Sequence, residues 1–287
     1  MATGSPIVRR RRLGAELRTL RDRAGLTGDQ VIERVGWPSA SKLSRIENGR
    51  TRPDLSDILD LLDLYGATGA EREKLIAIGR DAANTRGWWR SFADLGHRQR
   101  GYAELEAGMV ELRQYHQSLV PGLLQTPDYA RTRVRSVLEV YGHLDVEAEV
   151  AARQTRQALL TTEDPPHYHA VIDESALRRT TAPTEVMATQ LARLVELSAL
   201  AALTLQVLPL NARIGDYYVP HNSFSLYRYA DPDDPDIAVV ETVTSDLHLT
   251  DDEDVCRYRL VFDWLAAAAL PPEESVTLLA GLARQLR

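Results

Sequence analysis

The chain has one cysteine, Cys256, and no long apolar run. A single cysteine excludes an internal disulfide and a zinc site built on cysteines. No apolar run reaches the roughly 20 residues that a membrane-spanning helix needs. The N-terminal arginines are not followed by an apolar segment of the signal-peptide type. These absences predict a cytoplasmic protein that does not bind a membrane.

Patterns typical of enzymes are also missing. The sequence contains no glycine-rich phosphate loop, no zinc-protease helix and no nucleophile elbow. His167, His169 and Asp173 share one face of a predicted strand and could ligate a metal, but a half-buried strand explains them better. We therefore expect no catalytic residues, no metal and no cofactor.

Charge is distributed unevenly along the 287 residues, whose net charge is −7. Residues 1–53 hold 12 Lys and Arg against 5 Asp and Glu, whereas residues 54–287 hold 22 against 36. The position of charge matters more than its total, because a local basic surface attracts a polyanion even on an acidic protein.

The basic segment contains two short helix patterns joined by a tight turn. Thr27 and Gln30 form a capping-box pattern at the start of the first helix. Ser39 caps the second helix, which Asn48 and Gly49 end. This layout is that of a helix-turn-helix, whose second helix lies in the DNA major groove. The sequence therefore predicts double-stranded DNA as a partner, and with it a nucleoid-associated location.

The leading end of the second helix is predicted to read base edges. Arg45 can donate two hydrogen bonds to a guanine. The predicted base-reading residues are Ser39, Ser41, Lys42, Ser44 and Arg45. Contacts with the DNA backbone are expected from an N-terminal arginine arm and from side chains that flank the helix. These predicted residues are Arg9, Arg10, Arg11, Arg12, Gln30, Asn48, Arg50 and Arg52.

Helical spacing and breaks predict two domains of a mainly α protein. Residues 1–83 are predicted to form a five-helix helix-turn-helix domain, and residues 84–101, which lack a clear period, a linker. Residues 102–287 are predicted to form an α+β domain, with helices around a small mixed β-sheet, for dimerisation or sensing.

The elements of the second domain follow from periodicity. Helices are predicted at 102–119, 127–141, 145–161, 184–200, 251–269 and 273–286, and strands at 167–173, 203–208, 224–229 and 237–241. The carboxylate-rich segment from Asp231 to Asp236 is interpreted as a Pro/Asp turn between the last two strands.

The N-terminal motifs resemble those of the XRE (Cro/repressor-like) family. The similar segments are Leu26-Thr27, Leu43 to Gly49, and Arg50 to Pro53. The resemblance implies that Glu47 is structural and that the position of Arg45 can read bases. Gly28 and Ala40 depart from it, since many members carry Gln at the first position and several at the second.

The second domain resembles the WhiJ-like regulators, an actinobacterial group. The similar segments are Leu119 to Ala130, Val171 to Arg179 and Leu205 to Pro209. This resemblance implies a transcriptional regulator, sometimes described as antitoxin-like and often encoded beside a small partner protein.

Three hypotheses remain open. The leading one is a homodimeric transcription regulator on an inverted-repeat operator. In the second, the C-terminal domain sequesters a small partner protein and DNA binding is autoregulatory. In the third, the C-terminal domain binds a small-molecule effector in a pocket lined by aromatic side chains. The candidate lining residues are Tyr217, Tyr218, Phe224 and Tyr227.

Overall fold

The structure is a computed structural model that describes residues 4–83, 87–92, 95–142 and 144–286. Its contacts divide the chain into two compact units. The first unit comprises Met1–Arg90, Tyr102–Met109 and Tyr229–Pro235. The second unit comprises Ser91–Gly101, Val110–Arg228 and Asp236–Arg287. Of the predicted linker, residues 84–86 and 93–94 lie outside the described residues.

Five helices occupy the N-terminal part of the first unit. They are α1 (Pro6–Arg23), α2 (Gly28–Val35), α3 (Ala40–Glu47), α4 (Leu55–Leu64) and α5 (Gly69–Ala82). Helix α1 begins at Pro6 because the Ser5 side chain accepts a hydrogen bond from the Val8 amide and proline suits the first helical position.

Local capping signals fix the starts of the helices that matter most. Thr27 and Gln30 form the predicted capping box of α2, and the Ser39 hydroxyl caps α3. Thr68 is the N-cap residue of α5, but its side chain makes no cap hydrogen bond. Gly69 takes a φ of 57°, which removes the helical geometry directly after the cap position.

The five helices share one apolar core. Its fully buried members include Leu13, Leu17, Val31, Ile58, Leu61 and Leu62. Helix α1 and the end of α3 approach unusually closely, since a Cβ added at Gly14 would lie 2.4 Å from the Glu47 carbonyl oxygen. This close packing fixes α3 against α1.

The second unit is built on a six-stranded sheet, whose strands are β1 (Met109–His116), β2 (His167–Asp173), β3 (Leu203–Leu208), β4 (Phe224–Tyr229), β5 (Ile237–Val240) and β6 (Leu247–Leu249). Their order is β3-β2-β1-β4-β5-β6. Strands β1, β2 and β3 pair in parallel, whereas β5 pairs antiparallel with β4 and β6. The sheet is mixed, as the sequence predicts.

Eight further α-helices lie within the described residues. They are α6 (His97–Glu106), α7 (Pro127–Arg135), α8 (Leu138–Tyr141), α9 (Val146–Gln157), α10 (Glu174–Arg178), α11 (Thr184–Leu197), α12 (Asp252–Ala268) and α13 (Pro272–Gln285). The predicted fold class, helices followed by an α+β arrangement, is confirmed. Within the described ranges, no helix combines the length and the apolar character needed to cross a bilayer.

One predicted helix, 102–119, is wrong. The segment contains the end of α6 and then strand β1. Gly108, with a φ of 73°, separates the two elements. Glu, Leu, Arg and Gln in β1 favour helix locally, but parallel pairing with β2 overrides that weak preference. The predicted strands at 167–173, 203–208 and 224–229 are confirmed.

Candidate nucleic-acid interface

Helix α3 presents one polar face to solvent. Leu43 and Ile46 are buried in the core of the first unit, which turns the opposite side of the helix outward. The exposed residues on that side, together with the N-cap, are Ser39, Ala40, Ser41, Ser44 and Arg45. Four of the five predicted base-reading residues therefore share an accessible surface.

Hydrogen bonds order the start of this face. The Ser39 hydroxyl oxygen accepts from the Ser41 amide at 3.1 Å and lies 2.7 Å from the Ser41 hydroxyl. The Arg45 Nη1 donates to the Ser41 hydroxyl oxygen at 3.2 Å. A guanidinium carries five N–H donors, so this bond orients Arg45 and leaves donors for a base.

Lys42 differs from the other predicted base-reading residues because it is held within the unit. Its Nζ donates to Asp57 Oδ1 at 2.6 Å and lies 4.4 Å from the centre of the Trp37 ring. A base contact would have to replace both interactions. The sequence did not indicate this pairing, since Asp57 lies on the next helix.

The two polar amides predicted to contact the DNA backbone make local hydrogen bonds. Asn48 Nδ2 donates to the Ser44 carbonyl oxygen at 2.6 Å, which completes the end of α3. Gln30 Oε1 accepts from the Thr27 amide at 2.9 Å. Both amides are exposed, and their contacts with DNA stay predictions.

Arg21 ties α1 to α3, a role that the sequence did not reveal. Its Nε and Nη2 donate to the two Glu47 carboxylate oxygens at 2.7 and 3.3 Å. Both side chains are largely buried, and this bond raises the pKa of Arg21. Glu47 thus has the structural role that the XRE resemblance implies.

The four consecutive arginines lie within α1 and do not form an extended arm. Arg9 and Arg12 face carboxylates of residues 231–234, which we call the aspartate loop. Arg12 Nη1 donates to Asp231 Oδ2 at 2.7 Å and to Asp234 Oδ1 at 3.0 Å. Arg9 Nη1 donates to the same Asp231 oxygen at 3.1 Å. These two guanidinium groups are already engaged by opposite charge.

The remaining arginines near α1 are crowded by charge of their own sign. Burial, then Arg50 and Arg10, lower the pKa of Arg11. Burial and Arg10 likewise lower the pKa of Arg52, against the opposing effect of Glu104. We call Arg10, Arg11, Arg50 and Arg52 the basic cluster.

Arg10 also pairs with a carboxylate. Its Nη2 donates to Glu104 Oε2 at 2.6 Å. An anion placed at the basic cluster would relieve the mutual repulsion of its cations. The structure thus brings Arg10, Arg11, Arg50 and Arg52 together, and it separates Arg9 and Arg12 from them.

The side chains considered as metal ligands in the sequence include His169, which makes other contacts. Within the described part of the chain, no group of three His, Cys, Asp or Glu side chains could hold a metal. His169 Nε2 lies 2.7 Å from Gln206 Oε1, and its ring packs edge-on against Phe262. Cys256 is exposed.

The four aromatic residues proposed to line an effector pocket are not gathered together. Phe224 and Tyr227 are buried in β4, where their odd separation directs them to opposite faces of the sheet. Tyr217 is 74 % exposed. The Tyr218 ring packs edge-on against Trp264 of α12, with 5.6 Å between the ring centres.

Comparison with known protein families identifies two matching regions of the chain. Residues 12–75 match a family described as "Helix-turn-helix domain", which confirms the predicted motif and supports a DNA-binding regulator. Residues 99–281 match "Domain of unknown function (DUF5753)", and the chain belongs to that family. No curated protein matched the chain, and no solved structure matched it either.

Proposed function

We propose that this chain is a sequence-specific DNA-binding transcription regulator of the XRE type. The observation that supports this most strongly is the exposed polar face of α3, within a segment that matches a helix-turn-helix family. A helix of this kind enters the major groove with its N-terminal side chains on the base edges.

Arg45 is proposed as the main base-reading residue. It is exposed, lies one turn from the helix start, and is oriented by the Ser41 hydroxyl. Ser41 and Ser44 contribute adaptable hydrogen bonds beside it. Lys42 is proposed to support the turn through Trp37 and Asp57, with a smaller part in base reading.

Phosphate binding is proposed to centre on the basic cluster. Arg50 and Arg52 directly follow α3, where a DNA strand would pass. The exposed N-terminus of α2 adds backbone amides that favour a phosphate. Arg9 and Arg12 are given a lesser role than their positions in the sequence suggested, since carboxylates already hold them.

We propose a dimer on an inverted repeat because a single recognition helix contacts too little DNA for a specific site. One recognition helix covers only a few base pairs, and two units related by a twofold axis read half-sites about one helical turn apart. We further propose that the C-terminal domain supplies the dimer contacts and responds to a small partner protein or a small-molecule effector. Sedimentation of the full chain with and without DNA tests the dimer.

The function is tested by selecting duplexes from a random-sequence library with the full-length protein. We expect enrichment of an inverted repeat, and a loss of affinity of about tenfold or more in Arg45→Ala. Arg193→Ala, which removes an exposed arginine from α11, is the matched control and should bind normally. Failure to enrich any duplex at low salt would refute the proposal.

A further inference from the structure

The aspartate loop binds a buried face of α1. Asp234 is 1 % exposed and Arg12 is 5 % exposed, so their ion pair is shielded from water. Arg12 Nη2 also donates to Asp233 Oδ2 at 2.7 Å. Lys74 of α5 reaches the same Asp233 oxygen at 2.9 Å. The loop therefore joins α1 and α5 by charge.

The loop is itself ordered by local and nearby hydrogen bonds. The Asp233 amide donates to Asp231 Oδ1 at 3.1 Å, a turn-type contact. Tyr229, which ends β4, donates its buried hydroxyl to the Leu105 carbonyl oxygen at 2.8 Å. The carboxylates consequently reach α1 from a fixed backbone.

The side of α1 opposite the loop supports the recognition helix. At 100° per residue, Gly14 lies about 140–160° around the helix from Arg9 and Arg12, and Arg11 lies about 100–160° from them. Gly14 packs on the Glu47 carbonyl group, and a Cβ at Gly49 would lie 2.8 Å from the Arg11 Cα. Helix α1 is thus held between the aspartate loop and the C-terminal end of α3.

We propose that Asp231, Asp233 and Asp234 are positioning residues for DNA recognition, which hold α1 so that α3 is presented correctly. This inference rests on the proposed DNA-binding function. Because the loop runs directly from β4 into β5, a change in those strands would reach α3 through α1. A structural change in β4 or β5 would therefore alter the affinity for DNA through the aspartate loop.

The test uses the full-length chain with Asp234→Asn, which keeps the shape of the side chain and removes its charge. Asp216→Asn is the matched control, because Asp216 is 95 % exposed and pairs with the nearby Arg213 at 3.3 Å. Hydrogen exchange of α3 amides is measured well below the melting temperature. We expect about tenfold faster exchange in Asp234→Asn and no change in the control.

A second readout separates positioning from general stability. The affinity for a library-enriched 30-bp duplex is divided by that for a scrambled duplex of the same composition. This ratio should fall about tenfold in Asp234→Asn at a temperature where the variant is fully folded. Equal acceleration of exchange throughout the chain, with an unchanged ratio, would overturn the inference.

Two further outcomes are informative. If Asp234→Asn does not fold, Asp231→Asn replaces it, because Asp231 is 32 % exposed and its loss leaves the Asp234 pairs in place. If no duplex is enriched, the proposed function fails, and α3 exchange alone then decides whether the loop positions the helix. Unchanged α3 exchange in both folded variants would contradict the inference.

Discussion

A buried arginine in the first unit and a buried histidine in the second unit have contrasting surroundings. In the first unit, Arg12 is surrounded by the carboxylates of Asp231, Asp233 and Asp234. In the second unit, His116 is buried on β1, and its Nε2 makes no hydrogen bond with any residue that the structure describes. Burial lowers the pKa of His116, with Glu241 opposing the shift.

The difference follows from what each group can do when it loses water. A guanidinium stays charged in proteins, so a buried arginine needs carboxylates beside it. An imidazole can give up its proton and remain buried as a neutral ring. Burial of Arg12 should therefore depend on its ion partners, and burial of His116 should make stability depend on pH.

The largest effect is expected from breaking the buried ion cluster. Arg12→Ala leaves Asp234 and Asp231 without their main counter-charge and should destabilise the protein by about 3–5 kcal/mol. Urea denaturation of the full chain measures this loss. Arg18→Ala removes an exposed arginine from the same helix and should cost less than about 0.5 kcal/mol. Equal losses in the two variants would contradict the role of the cluster.

A smaller loss is expected on the other side of α1. Gly14→Ala places a Cβ 2.4 Å from the Glu47 carbonyl oxygen, so backbone must move. Overpacking of this kind costs about 1–3 kcal/mol. Gly281→Ala on α13, where nothing lies within 4 Å of the added Cβ, is the control and should not destabilise. Thermal unfolding of both variants distinguishes close packing from a general glycine effect.

The pH dependence tests the second unit. Because the pKa of His116 is depressed in the folded state, the unfolded chain binds more protons as pH falls below about 6.5. The contribution of this residue to stability should then fall as pH is lowered from 7 to 5.5. His116→Asn should show a shallower dependence than wild type.

His167→Asn is the control for this measurement, because His167 is exposed at the start of β2. Its urea midpoints from pH 7 to 5.5 should follow those of wild type. A slope that is the same in His116→Asn and in wild type would show that the buried imidazole does not set this dependence.

The smallest effect concerns the basic cluster. Arg11→Ala should destabilise the protein less than Arg12→Ala beside it, because Arg12 pairs with three aspartates of the loop. It should weaken DNA binding uniformly across sequences and reduce the slope of log affinity against log salt by about 1. Titrations at several salt concentrations measure the slope. A loss of affinity confined to one DNA sequence would instead indicate that Arg11 reads bases.

Local signals in the sequence were sufficient to predict the helix-turn-helix. The Thr27 capping box, the Ser39 cap and the buried pair Leu43 and Ile46 each depend on neighbours within four residues. The exposed face of α3 follows directly from this periodicity. Strand β1 was missed because its residues favour helix and only pairing with β2 makes them a strand.

Long-range charge pairing could not be read from the sequence. Arg12 and Asp234 are 222 positions apart, and each belongs to a segment with a simple local interpretation. The arginine run suggested a DNA arm, and the aspartate run suggested a turn between strands. The turn is present, and its carboxylates also pair with Arg9 and Arg12.

The most direct test of the DNA-reading surface is a guanine scan of the enriched duplex. Each guanine in a half-site is replaced in turn, and affinity is measured by fluorescence anisotropy for wild type and Arg45→Ala. Replacing one particular guanine should lower the affinity of wild type by about tenfold or more. The same replacement should not lower the affinity of Arg45→Ala any further. If Arg45→Ala remains as sensitive as wild type at every guanine, α3 does not read DNA through Arg45.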